Sequence, residues 1–378
     1  MRSATLAVLL IVASPGFGQV PTPSPLGNPP GKPQYPGEIY GKDLTTWLRE
    51  LKESTDPAVR ESAVKVLPGF GPDARGPSLE PLLLALRSEP DPGIRVAIID
   101  MLGVIGFTTQ EEGKKITSAL ALEMVRLGPG SILRLHIVRS LTNFGPTAAA
   151  SLPNLLDIVK DPSWETRRAV AFALGRIGYP TVPERGPSER ALGSLSGTLL
   201  KDSCSVVRLE AVQSLVLLGP PEYNRQLPQE YPVKIKPFLD AATAAQKTEK
   251  DKSVQIWLMM LIMRYDGSQL KDENIKLIVN HIDGADVAAR LHALSAVGML
   301  GEKAKPFIGK VTGVLTTNDP PSIGAALSTL AALGDVARPA LPELEKLKTD
   351  TKNEELKALV TQTISAILKQ PPPAAKKM

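Results

Sequence analysis

KDPSWETRRAVAFALGRIG, residues 160–178, decides the fold. Asp161 and Pro162 open it, and both suit a helix start. A carboxylate there accepts from the free amides of the first turn, and proline fits early positions whose N–H would be unpaired anyway. Val170, Ala171 and Leu174 then recur at helical spacing, with Arg167 and Arg176 on other faces. That pattern predicts an amphipathic helix over 163–177. Gly178 closes the stretch and is expected in the left-handed conformation that often ends a helix.

The same phrase returns along the chain. TDPAVRESAVKVLPGFG starts at Thr55, PDPGIRVAIIDMLGVIG at Pro90, CSVVRLEAVQSLVLLG at Cys204 and GADVAARLHALSAVGMLG at Gly284. Each follows another helical segment, such as SLEPLLLALRS at 78–88, SLPNLLDIVK at 151–160 or ARPALPELEKLK at 337–348. The unit is therefore a helix hairpin. Second helices are expected at 57–67, 92–105, 130–143, 163–177, 205–218, 252–265, 285–300, 320–333 and 353–368, about nine pairs. A repeating unit of this size predicts an all-α fold, an α-solenoid in which each hairpin buries its apolar face on its neighbours.

The phrase D-P-x-V/I-R, followed by Ala or Ile, Leu and Gly at helical offsets, resembles the HEAT repeat, especially the bacterial type also found in phycobilin lyase subunits. The tetratricopeptide pattern fits worse, since its strict period and its Trp/Gly/Tyr signature do not occur. The resemblance implies an α/α superhelix that binds a protein partner. It also implies one enzymatic alternative, tetrapyrrole binding of the lyase kind, although no catalytic motif transfers residue by residue.

Aligned on their arginine, the second helices give Arg60, Arg95, Arg134, Arg167, Arg208 and Arg290, with Gln255 in the sixth slot. Acids stand shortly before at Asp56, Asp91, Asp161, Asp202, Asp251 and Asp286. In HEAT repeats such residues form a ladder between neighbouring hairpins, and here they are expected to be structural rather than ligand-binding. The third unit has Gly128, Pro129 and Gly130 where its acid should stand, and the sixth lacks the arginine. The ladder is expected to lapse at both.

Counted from each arginine, offsets +3, +4 and +7 are apolar or small and form the expected core: Ala63, Val64, Leu67, Ile98, Ile99, Leu102, Val170, Ala171 and Leu174. Offsets +2, +5 and +9 carry Lys65, Asp100, His136, Arg139, Asn143, Arg176, Glu210, Gln213, Arg264 and His292, the expected exposed ridge. Phe172, Trp257 and Met260 interrupt it. Such residues are frequent anchors in protein interfaces, so they are the candidate contacts. Against that, the run IWLMMLIM at 256–263 is apolar on every face, which suits burial.

The remaining composition narrows the function classes. Apolar residues make up 43% and aromatic residues 4%, so the core is aliphatic. A net charge of +5 over 378 residues is weak, and no basic face or arm concentrates it, which disfavours nucleic acid. Cys204 is the only cysteine, so no intramolecular disulfide is possible. His136, His281 and His292 lie in separate helices without a metal-ligand constellation, and no nucleophile elbow, HExxH or phosphate loop occurs. No catalytic residue, metal or cofactor is expected.

Residues 1–18 carry Arg2, an apolar run at 6–13 and small residues at Ser14, Gly16 and Gly18, the layout of a secretory signal peptide. Residues 19–39 read as a proline-rich linker, 40–370 as the solenoid and 371–378 as a tail. Inserts rich in Pro and Gly fall around 178–186 and 220–233. No later segment has the length of a membrane span. The sequence thus points to an exported, periplasmic or extracellular, non-enzymatic scaffold for a protein partner, or alternatively to a structural component of the envelope.

Overall fold

The computed structural model describes residues 35–178, 188–218 and 231–369, without the side chains of 231–235. The expected signal peptide, most of the linker, the tail and nearly all of both inserts lie outside those residues. The described chain forms two compact units that divide between Ala245 and Gln246.

In the N-terminal unit the helices are α1 (Leu44–Glu53), α2 (Pro57–Val66), α3 (Arg75–Ser88), α4 (Pro92–Ile105), α5 (Gln110–Arg126), α6 (Ile132–Asn143), α7 (Leu152–Asp157), α8 (Trp164–Ile177), α9 (Glu189–Gly197), α10 (Ser205–Leu218) and α11 (Tyr231–Gln246). The C-terminal unit holds α12 (Lys252–Tyr265), α13 (Asp272–Val279), α14 (Val287–Gly298), α15 (Ile308–Gly313), α16 (Pro320–Leu333), α17 (Leu341–Asp350) and α18 (Glu354–Lys369). Even-numbered helices are the nine second helices expected from the repeat phrase. They pack one on the next, α2 to α10 in the first unit and α12 to α18 in the second. In the N-terminal unit the odd-numbered helices α1 to α9 form the other row. Each unit is an α-solenoid.

Helix starts follow the capping chemistry. Asp56 accepts from Ala58 N at 2.9 Å, Asp91 from Gly93 N at 2.8 Å and Asp251 from Ser253 N at 2.9 Å. Thr109 and Glu112 cap α5 reciprocally in a capping box. The predicted core positions are all buried; Ile98, Ile99, Leu102, Val170, Ala171 and Leu174 have no measurable exposure.

Before α1, Glu38–Ile39 and Lys42–Asp43 pair as a two-stranded hairpin, β1 and β2, at the end of the stretch read as linker. Tyr40 and Gly41 both have positive φ, 52° and 72°, as a two-residue hairpin turn of matching twist requires. Trp47 of α1 donates its indole N–H to Ile39 O at 3.1 Å. The hairpin thereby closes one end of the array.

Interior glycines set how closely second helices approach. Gly103 and Gly175 stand eight positions after Arg95 and Arg167. A Cβ on Gly103 would sit 2.5 Å from Ser140 Oγ and 2.9 Å from its Cα; one on Gly175 would meet Ser214 Oγ at 2.6 Å. Ser140 Oγ donates to Ile99 O at 2.9 Å, and Thr329 Oγ1 repeats this across α14 and α16 by donating to Leu294 O at 2.9 Å. A small residue thus opens one helix to a hydroxyl from the next. Gly178 departs from expectation. Its φ is −69°, and it is glycine because a Cβ would strike Leu174 O at 2.4 Å.

Gly103→Ala should lower stability by about 1–3 kcal/mol, because Ser140 backbone must retreat. Gly193→Ala on α9, where a Cβ meets nothing within 4 Å, should instead gain up to about 1 kcal/mol. Urea unfolding midpoints of the two variants compare them directly. Equal shifts would mean that the close approach does not constrain the stack.

Candidate functional site

The arginine slot does two jobs. Within its own repeat it ties down the turn before the helix: Arg60 donates to Ser54 O at 3.1 Å, Arg167 to Asp161 O at 2.8 Å, Arg208 to Asp202 O at 2.8 Å and Arg290 to Gly284 O at 2.6 Å. Gln255 keeps this contact, donating to Glu249 O at 2.6 Å. The second job reaches the next repeat. Arg60 grips Glu89 with two bonds of 2.8 Å, and Arg167 grips Asp202 at 2.6 and 3.0 Å. Arg95 pairs with Glu123, Arg134 with Asp161 at 3.0 Å, and Arg290 with Asp319 at 3.0 Å.

The acid partners differ from the expected set. Asp56, Asp91 and Asp286 cap their helices, while Glu89, Glu123 and Asp319 take the guanidinium. Asp161 and Asp202 also take the guanidinium, and each accepts the amide just before its helix, Ser163 N at 3.0 Å and Cys204 N at 2.9 Å, while the Ser163 side chain caps α8. The ladder does not lapse at the third unit. Glu123, on first helix α5, supplies the acid that Gly128 to Gly130 lacks, a residue that alignment of second helices alone overlooks. At the sixth unit Gln255 has the local tie but no charge to extend.

Glu89, Glu123 and Asp161 are buried, and the arginines that hold them are half-buried. The Arg60 bonds, working against burial, hold Glu89 below the usual carboxylate range. Burial works against ionisation of Asp202, yet the Arg167 bond and the Cys204 amide keep its carboxyl low. Removing one partner strands the other's charge, which is what makes such pairs costly to break.

A family model described as HEAT repeats matches residues 122–216, from within α5 to within α10. Residues 122–216 carry HEAT repeats. No curated protein matches it. Among solved structures, an engineered protein is 18% identical over 87% of this chain and 89% of its own, with a TM-score of 0.44. Kap121p bound to Pho4p is 16% identical over 86% of this chain and 37% of that one, with a TM-score of 0.48, so this chain spans little over a third of Kap121p. An Escherichia coli protein, YibA, is 16% identical over 86% and 92%, with a TM-score of 0.39.

Along the second helices the ridge residues separate into three groups. Lys65, Arg139, Asn143 and Arg176 are exposed. Asp100, His136, Phe172, Gln213, Arg264 and His292 are half-buried. Glu210, Trp257 and Met260 are buried, contrary to their reading as exposed contacts. Glu210 lies beneath Arg168, which it meets at 3.0 Å, and burial pushes its carboxyl upward against that charge. α12 packs against α13 and α14, and Trp257 reaches His292 on α14. The run from Ile256 to Met263 is core rather than a contact patch, with only Met259 and Ile262 half-buried.

Several ridge groups bond across neighbouring second helices. His136 Nδ1 meets Asp100 Oδ1 at 2.8 Å, Asn143 donates to Gly103 O at 3.2 Å, and Trp257 donates to His292 Nδ1 at 3.0 Å. Burial lowers the His292 pKa, which favours the neutral ring that accepts the indole N–H. Among the described residues no three His, Cys, Asp or Glu side chains gather where a metal could be held. No helix among them is long and apolar enough to cross a membrane. Cys204 is a half-buried free thiol at the start of α10.

Two substitutions separate ladder from cap. Glu89→Ala should cost about 3–5 kcal/mol by stranding Arg60, against about 1 kcal/mol for Asp91→Ala, which loses a cap. Denaturant titration reads both, and equal losses would return the tie to Asp91. Trp257→Ala should cost about 3–5 kcal/mol as a core truncation. An unchanged melting temperature would place Trp257 back on the surface.

Proposed function

We propose that this chain is an exported, non-enzymatic HEAT-repeat scaffold that binds a protein partner across the exposed stripe of its second helices. One observation supports this reading above the others. On five consecutive second helices, α2 to α10, the +3, +4 and +7 side chains are buried while +5 and +9 stay at least partly open, as Lys65, Asp100, Val104, Arg139, Asn143, Arg176, Gln213 and Leu217 show. One stripe of varied chemistry is thereby presented on a fixed frame, which suits recognition of another chain's side chains.

Export rests on the leader-like residues 1–18.

A photo-reactive benzoylphenylalanine placed at Gln213 or Asn143 should cross-link a partner protein in extracts of the source cells, and the same group at Leu84 on first helix α3 should not. Adducts formed only from Leu84, or equally from all three, would move the contact surface off the second helices.

A further inference from the structure

We propose that the face formed by α6, α8 and α10 takes an acidic, extended segment of a protein partner, with Arg139 and Arg176 seating its carboxylates. This rests on the scaffold reading above and adds the chemistry of the partner.

The charges on this face are unequally committed. Arg139 and Arg176 are exposed, and among the described residues neither has a carboxylate within ion-pair distance. Among the described residues, two acids on these neighbouring second helices are already engaged. Glu210 is buried under Arg168, and Asp100, one helix away on α4, meets His136 at 2.8 Å. Two guanidiniums on adjacent helices are therefore left over, and they offer planar forks that match carboxylates.

The neighbouring groups define how such a ligand would lie. The Arg176 guanidinium stands over the Phe172 ring at 5.7 Å, a contact that steadies the side chain while its N–H edge stays open. Gln213 on α10 is half-buried and offers both donor and acceptor, and Leu217 beside it is 45% exposed. Packed helices lie roughly 8–10 Å apart, and an extended chain advances about 3.3 Å per residue, so about three ligand residues would pass from one helix to the next. The order Arg139, Arg176, Leu217 then calls for acid, acid and apolar side chains at that interval. The His136–Asp100 pair bounds the patch on the α4 side.

The test uses a fluorescein-labelled peptide with the sequence Glu-Gly-Ser-Glu-Gly-Ser-Leu, its counterpart with Lys in place of Glu, and a duplex DNA oligonucleotide, each titrated into the whole chain by anisotropy. The acidic peptide should bind, weaken as salt is raised and lose about tenfold or more in affinity in the Arg139→Glu/Arg176→Glu variant. Both arginines are exposed, so that variant should melt with the parent. Equal binding of the Lys peptide, absence of acidic-peptide binding, an unaffected variant, or DNA bound as tightly as the peptide would each overturn the proposal. Cross-linking from Gln213 separates the two readings. Adducts that persist in the double variant leave the scaffold standing and remove only the acidic partner, whereas no adducts in the parent would remove the scaffold itself.

Discussion

A single helix hairpin leaves one apolar face open to water, and the need to cover that face with the next hairpin is the constraint behind everything else in this chain. The covering residues are small and aliphatic: Ile98, Ile99 and Leu102 on α4, Val170, Ala171 and Leu174 on α8. Apolar burial is non-directional, so it brings hairpins together without fixing their register. Register comes from two more specific contacts. A glycine on one second helix admits a hydroxyl from the next, and an arginine reaches from its own turn to a carboxylate in the following repeat.

The arginine contact carries most of the directionality. Its guanidinium holds a carbonyl at the base of its own helix and an acid beyond it, so one side chain fixes both the entry of the helix and the position of its neighbour. Burying such a pair gains little net stability over an apolar substitute, but a misplaced neighbour would strand a charge. That asymmetry penalises wrong registers more than it rewards the right one. The acid need not come from a set position. Glu89 and Asp319 stand before second helices, while Glu123 lies on a first helix, and each reaches the guanidinium of the preceding repeat.

The same economy shapes the exposed stripe. Where a ridge group finds a partner on the adjacent helix, as His136 does with Asp100 or Arg168 with Glu210, it serves the stack and is partly withdrawn from contact with others. Where the described residues offer none, as at Arg139 and Arg176, it is available. Recognition capacity on this surface is what remains after the repeats have satisfied one another, which is why the net charge of the chain is a poor guide to it.

Hydrophobic period, capping acids and the recurring arginine determined the helical class, the hairpin unit, the nine second helices and their buried face. These are local properties, set by which side of a helix can leave water, and a sequence displays them directly. The partners across repeats were decided only by tertiary structure. The arginine takes Glu89 and not Asp91, because reach from one helix to the next is a distance in space and not an offset in the chain. Likewise Trp257 and Met260 occupy ridge positions by count, yet both are buried in the packed chain. Gly103 and Gly175 look like ordinary small residues until the next helix arrives close enough to need the missing Cβ.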